Sequence, residues 1–318
     1  MNKLSVRINK KQMEAQDIAS FELVSADGKP LPSFTPGAHI DVHVAGLVRQ
    51  YSLCNAPADG ARYLIAVKRE AESRGGSRAM HENLNEGDLI TVGEPRNNFQ
   101  LDLSARHSVL MAGGIGVTPM LSMALHLLAT GASFELHYFT RSIAHTAFHA
   151  LLSGPDFKGK VDFHYALEPE RLRTSLHKLL WQRPEGGQLY LCGPRPFMDL
   201  VEASAAPGWP PDAVHLEYFS ADPESLSGSQ ESFQVRLARS GGTYDIPAGK
   251  TIVQALAEQG VNVATACEQG VCGTCLTGVL EGIPDHRDAF LDDAERSAGD
   301  KMLLCVSRAK TPLLVLDL

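Results

Sequence analysis

The chain has 318 residues, 44% of them hydrophobic and 21% charged, with a formal net charge of −8. This is the composition of an ordinary soluble protein of about two domains, or three small ones, and its acid excess argues against nucleic acid, whose binding rests on basic surface. No apolar run reaches the ~18 residues a membrane span needs, and Met1-Asn2-Lys3-Leu4-Ser5-Val6-Arg7 lacks the apolar segment of a signal peptide, so the expected location is cytoplasmic.

Residues 1–103 read as short strands broken by turns. Ile40, Val42 and Val44 alternate with Asp41 and His43, the period of a half-buried strand. Further strands are expected at Tyr63–Lys68 and Leu89–Val92, and many short strands with turn chemistry suit a small antiparallel β-barrel. Ser77, preceded by Gly75-Gly76, is a candidate N-cap for a helix through Leu84, and such a helix start offers backbone N–H groups to an anion. The same region contains Val48-Arg49-Gln50-Tyr51-Ser52-Leu53. Arg-x-Tyr-Ser-Leu followed by Gly-Gly-Ser resembles the flavin-binding pattern of the ferredoxin–NADP reductase-like barrel. The resemblance implies that Arg49 and Ser52 contact phosphate or ribityl oxygens, Tyr51 packs on the isoalloxazine, and Gly75, Gly76 and Ser77 hold phosphate. A guanidinium forks onto phosphate bidentately, and a tyrosine face is an apolar platform.

From Ser108 the pattern changes. Val109–Ala112 is a short apolar run, followed by Gly113-Gly114-Ile115-Gly116-Val117-Thr118-Pro119 and a helical stretch to Thr130, closed by Gly131. Thr118 is the expected cap and Pro119 lies in the first turn, where its missing N–H costs nothing. Strand, glycine loop and helix open an α/β domain with a dinucleotide at its strand ends. Pro119 stands where a third glycine of G-x-G-x-x-G would be; the turn resembles the Gly-Gly-x-Gly-x-Thr-Pro of reductase nicotinamide domains. Strands follow at Phe134–Thr140, Val161–Ala166 and Gln188–Cys192, the last running into Cys192-Gly193-Pro194, which in that family sits at the nicotinamide end. Cys192 is read either as a positioning group there or as plain core; Cys54 is read as core. Phe219 closes the domain where the family places an aromatic over the flavin. Ser220–Gln230 is small and polar, a linker by composition.

Beyond it, Phe233, Val235 and Leu237 alternate as a strand, Tyr244–Ile246 gives another, and Thr251–Gln259 reads as a helix ended by Gly260. Cys267, Cys272 and Cys275 then follow the C-x4-C-x2-C spacing of plant-type [2Fe–2S] ferredoxins, with Cys305 as the fourth ligand. Gly270 and Gly273 let the backbone approach the sulfurs. A zinc site pairs two short knuckles, and a disulfide framework needs denser cysteines than six in 318 residues; both fit less well. Residues 231–318 hold 8 Lys and Arg against 12 Asp and Glu. Their acidic run, Asp285, Asp288, Asp292, Asp293 and Glu295, is expected to be a solvated face, with a docking surface for a basic partner as the sharper alternative.

The order of the parts resembles the phthalate dioxygenase reductase and vanillate O-demethylase reductase family over essentially the whole chain. That implies a flavin-binding β-barrel (1–103), an α/β NAD-binding domain (104–222), a linker (223–230) and an α+β ferredoxin domain of β-grasp type (231–318). The implied activity is an NADH-dependent reductase with FMN and a [2Fe–2S] cluster, feeding single electrons to a Rieske-type oxygenase. The site residues this assigns are Ser52, Cys192 and Phe219 around the reacting rings; Arg49, Tyr51, Gly75, Gly76 and Ser77 for flavin; Gly113, Gly114, Gly116, Thr118, Pro119, Arg141, Gly193 and Pro194 for nicotinamide. FMN is favoured because Gly75-Gly76-Ser77 offers a terminal-phosphate site and no aromatic platform for an adenine is evident. NADH is expected from the resemblance, although Thr140-Arg141-Ser142 lacks the acid that bonds a ribose 2′-OH and Arg141 suits a 2′-phosphate. A plant-type cluster near about −400 mV lies at least roughly 250 mV below a Rieske centre, on the order of four decades in favour of forward transfer. A stand-alone reductase of a small acceptor, or a redox-sensing module, is the alternative.

Overall fold

A computed structural model describes residues 3–71, 75–221 and 231–318; the linker expected at 223–230 lies outside them. Contacts divide the chain into two compact units, Met1–Glu217 and Tyr218–Leu318.

The first unit begins with six strands, β1 (Lys3–Ala15), β2 (Ile18–Ser25), β3 (His39–Val44), β4 (Leu47–Ser52), β5 (Arg62–Lys68) and β6 (Leu89–Gly93), in the antiparallel order β4-β3-β6-β1-β2-β5. A bridge between Leu53 and Ile65 joins the two outer strands. It closes the sheet into a barrel. Alternate residues fill the interior, among them Val6 and Ile8, Phe21 and Leu23, Ile40 and Val42, and Ile65 and Val67. The expected solvent face of β3 is absent. Asp41 is buried because its carboxylate takes Arg96 Nη2 at 2.6 Å and Gln50 Nε2 at 3.0 Å, so the polar side of the alternation is paired internally. Helix α1 (Gly76–Asn83) lies between β5 and β6 in the chain.

Five parallel strands follow: β7 (His107–Gly113), β8 (Phe134–Thr140), β9 (Val161–Tyr165), β10 (Gly187–Cys192) and β11 (Val214–Glu217), in the order β11-β10-β7-β8-β9. Helices α2 (Val117–Thr130), α3 (His149–Leu152), α4 (Pro169–Leu180) and α5 (Arg195–Ala205) connect them. Central β7 is buried from Ser108 to Gly113, as a parallel strand covered on both faces must be. From β7 the chain runs outward through β8 and β9, then returns to place β10 and β11 on the other side. That reversal is a topological switch point at the carboxyl ends of β7 and β10, the usual ligand position of an open α/β sheet. Gly131 stops α2 in the left-handed conformation, as expected. Thr118 does not cap it: Gly116 holds the N-cap position and Thr118 Oγ1 donates to Ile115 O at 3.0 Å from inside the first turn.

The second unit contains β12 (Phe233–Leu237), β13 (Thr243–Ile246), α6 (Ile252–Glu258), β14 (Leu276–Glu281), β15 (Pro284–Asp285), α7 (Asp293–Ala298), β16 (Lys301–Leu303), β17 (Arg308–Ala309) and β18 (Leu313–Leu316). Five strands form a mixed sheet, β13-β12-β18-β14-β16, while β15 and β17 pair separately. β12 alternates buried and exposed as its sequence requires, and Thr251 caps α6 in a box with Gln254. The acidic run does not form one uniform solvated face. Asp288 is buried and accepts from Phe290 N and Leu291 N. Asp285 holds Arg287, and Asp292 and Glu295 form the capping box of α7, with Glu295 also holding Lys301. Asp292 and Asp293 are exposed.

Candidate functional site

The first cluster forms where β4 meets the amino end of α1. Gly75 is the N-cap of α1 at φ 100°, a backbone that glycine adopts without strain. Ser77 therefore sits inside the first turn rather than capping it, and its Oγ accepts from Glu70 N at 3.2 Å. A Cβ on Gly76 would stand 2.6 Å from Arg49 Cγ and 2.8 Å from Arg49 Nε. The arginine stem thus lies against the helix start, and Arg49, Gly75, Gly76 and Ser77 come together as one positive site suited to a phosphate. Tyr51 shares its strand face with Arg49 by the period of two. Burial pushes its phenol up to about 12 against the pull of Arg49, so it stays neutral.

The second cluster lies at the strand ends. Gly113, the last residue of β7, and Gly193, after β10, approach so closely that a Cβ on Gly193 would lie 3.0 Å from Gly113 Cα. A Cβ on Gly116 would collide with the backbone of Cys192 and Gly193, and one on Gly113 would meet Phe197 and Pro194 within 2.9 Å. These three glycines are required by the packing of the two loops. Gly114 differs: at φ +54° its Cβ position is open. Pro119 is in the first turn of α2, and Arg141 is exposed just after β8.

Cys192 and Glu217 are neighbours in the β10–β11 register, and Ser52 Oγ, at the end of β4, donates to Glu217 Oε2 at 3.5 Å. Glu217 carries no motif of its own in the sequence, yet it joins the barrel strand to the strand ends. Burial pushes its carboxyl up to about 8, and the Ser52 hydroxyl offsets part of that shift. The Cys192 thiol is fully buried, and burial with Glu217 nearby pushes it well above the ordinary value. The thiol is therefore neutral, which suits either packing or positioning of a ring. Phe219 is 41% exposed and belongs to the second unit.

The third cluster is the loop before β14. Cys267, Cys272, Cys275 and Cys305 are all buried and free. Their thiols bond in a chain, Cys272 to Cys267, Cys267 to Cys305, and Cys305 to Cys275. Among the described residues no three His, Cys, Asp or Glu side chains converge on one metal ion. Four gathered cysteine sulfurs are the ligand set of a plant-type [2Fe–2S] core. Backbone N–H groups point at them, Gln269 N to Cys267 Sγ at 3.2 Å and Thr274 N to Cys272 Sγ at 3.4 Å, as thiolates in a cluster require. Gly270 and Gly273 turn the loop at φ +70° and +73°; a Cβ would meet Val306 at 2.6 Å and Phe290 at 2.5 Å respectively. Glu268 shares the left-handed region at φ 53°.

Residues 235–310 match the 2Fe-2S iron-sulfur cluster binding domain. The chain is 45% identical over 317 residues to vanillate O-demethylase oxidoreductase of Pseudomonas sp. (strain HR199 / DSM 7063), covering 99% of this chain and 100% of that one. The solved structure of phthalate dioxygenase reductase, described as modular for electron transfer from pyridine nucleotides to [2Fe-2S], superposes with a TM-score of 0.80 at 41% identity, covering 100% and 98%. An intact type IV self-sufficient cytochrome P450 monooxygenase superposes at 0.84 and 37% identity, over 99% of this chain but 41% of that one.

Proposed function

The chain belongs to the phthalate dioxygenase reductase and vanillate O-demethylase reductase family of flavin iron–sulfur oxidoreductases, and on that premise we propose that it takes hydride from NADH onto FMN and sends single electrons through [2Fe–2S] to a Rieske-type oxygenase. The observation that carries this reading is the approach of Ser52 to Glu217, which brings the barrel strand beside the phosphate cluster to the switch point that suits a dinucleotide. The three-part division at 1–103, 104–222 and 231–318 is part of the same proposal, as are the site residues.

Flavin, when bound, supplies the conversion between a two-electron donor and a one-electron acceptor. The protein's own groups do the rest. Arg49 and the amino end of α1 would hold the phosphate, and Tyr51 would support the ring. The loops after β7 and β10 would seat the nicotinamide, with Gly114 open to close approach. Glu217, its carboxyl pushed up to about 8 by burial, holds a proton below that pH and accepts from Ser52 beside it. Cys267, Cys272, Cys275 and Cys305 would ligate the cluster, and the backbone N–H bonds to sulfur would favour its electron-rich state.

The test mixes the purified chain, NADH and a Rieske oxygenase component without oxygen, and follows the Rieske centre by its electron paramagnetic resonance. Its reduction at a rate matching NADH oxidation is expected, with FMN as the flavin released on denaturation. A Rieske centre left oxidised while ferricyanide is reduced would favour a stand-alone reductase. FAD as the sole released flavin would overturn the FMN assignment.

A further inference from the structure

We propose that Lys11, on β1, is a positioning residue for the flavin phosphate, acting through helix α1. The inference rests on the reading of the α1 amino end as the phosphate site. The last carbonyls of a helix have no partner within it. At α1 the cation that meets them comes from far away in the chain: Lys11 Nζ donates to His81 O at 2.6 Å and to Leu84 O at 2.8 Å. The ammonium lies 5.7 Å from the Phe21 ring centroid, and the Lys11 backbone N–H donates to Glu86 Oε1 at 2.9 Å just beyond the helix.

The surroundings fix the same end. His81 contacts Val67 O at 2.8 Å through Nε2 and meets the Phe21 ring edge-on at 6.4 Å. Eight residues make a rod ~12 Å long, so Lys11 sits about that far from Gly76, which packs on Arg49. Its position has two consequences. Mechanically, pinning the carboxyl end fixes where the amino end points. Electrostatically, a cation on the final carbonyls cancels the negative half of the helix dipole, leaving the positive half to act on an anion at the other end. No acidic residue in the first turn opposes it.

A residue that merely held the barrel together would weaken every flavin equally. One that acts through the phosphate helix weakens only flavins that carry phosphate. The test therefore uses the full-length chain, cluster intact and stripped of flavin, titrated separately with FMN, FAD and riboflavin by fluorescence quenching. Lys11→Met is expected to raise the Kd of whichever phosphorylated flavin the parent binds about tenfold, to leave the riboflavin Kd within twofold, and to be largely rescued in Lys11→Arg. The unchanged visible spectrum of the [2Fe–2S] centre reports that the chain is folded. Equal weakening of all flavins, or no weakening, overturns the proposal. Arg49→Ala is the parallel arm. If it shifts the ratio and Lys11→Met does not, the Lys11 role fails alone; if neither shifts it, the phosphate site at α1 fails with it.

Discussion

A protonated glutamate at the junction of barrel and parallel sheet has a measurable cost. Burial raises Glu217 from an ordinary 4.5 to about 8. The unfolded chain then releases this proton first, so the group opposes folding increasingly from about pH 4.5 to about pH 8 and at a constant level above. Glu217→Gln keeps the shape and removes the ionisation. The stability difference in favour of the variant should widen across that window, to on the order of 2 kcal/mol after allowance for partial exposure. Urea unfolding at pH 5, 6.5 and 8 measures it, and a gap independent of pH would mean an ordinary, solvated carboxylate. Nothing in the sequence marks Glu217, because one glutamate at a strand end has no spacing to any partner; its significance exists only once β4 and β11 come together. Arg49, Cys267, Cys272 and Cys275 carried a sequence signal for the opposite reason, since the motif each belongs to lies within a few residues.

Among the elements, the strands that alternate cleanly, such as β12, and the fully apolar β7 were readable from their side-chain period. β1 and β2 were not. In β1 the buried Val6 and Ile8 are set among charged residues that stay outside the barrel, so the apolar signal is short. The expected caps Ser77 and Thr118 failed through a shared cause: a glycine two residues upstream takes the cap position, and the hydroxyl falls into the first turn. The glycines also separate packing from binding. Gly116→Ala would push a Cβ into the backbone after β10 and should destabilise the protein by roughly 2–4 kcal/mol. Gly114→Ala meets no atom and should cost only about 1–2 kcal/mol of left-handed strain. If the backbone at Gly114 approaches the dinucleotide, the KM for NADH in Gly114→Ala rises severalfold beyond anything its stability loss explains. An unchanged KM would leave Gly114 as a turn residue only. Chemical denaturation and steady-state kinetics on the two variants decide between these outcomes.

At the scale of the molecule, the hydrophobic cores of the two units share no residue: the cores of the first draw on residues up to Cys192 and that of the second on Phe233 onward. Damage to the cluster loop should therefore stay within the second unit. Cys272→Ser removes one sulfur of the chain of thiols and should abolish or cripple the [2Fe–2S] centre while the first unit keeps its flavin. The variant is expected to retain NADH-driven reduction of ferricyanide, which takes electrons at the flavin, and to lose at least about nine-tenths of its reduction of cytochrome c, a fall of at least about tenfold in rate. Arg49→Ala acts upstream of the branch and should depress both activities together. Separate responses of the two acceptors to Cys272→Ser place the cluster after the flavin on the path. A cluster-free variant that reduces cytochrome c at the parent rate would take the cluster off that path, and the order from nicotinamide through flavin to cluster would have to be abandoned.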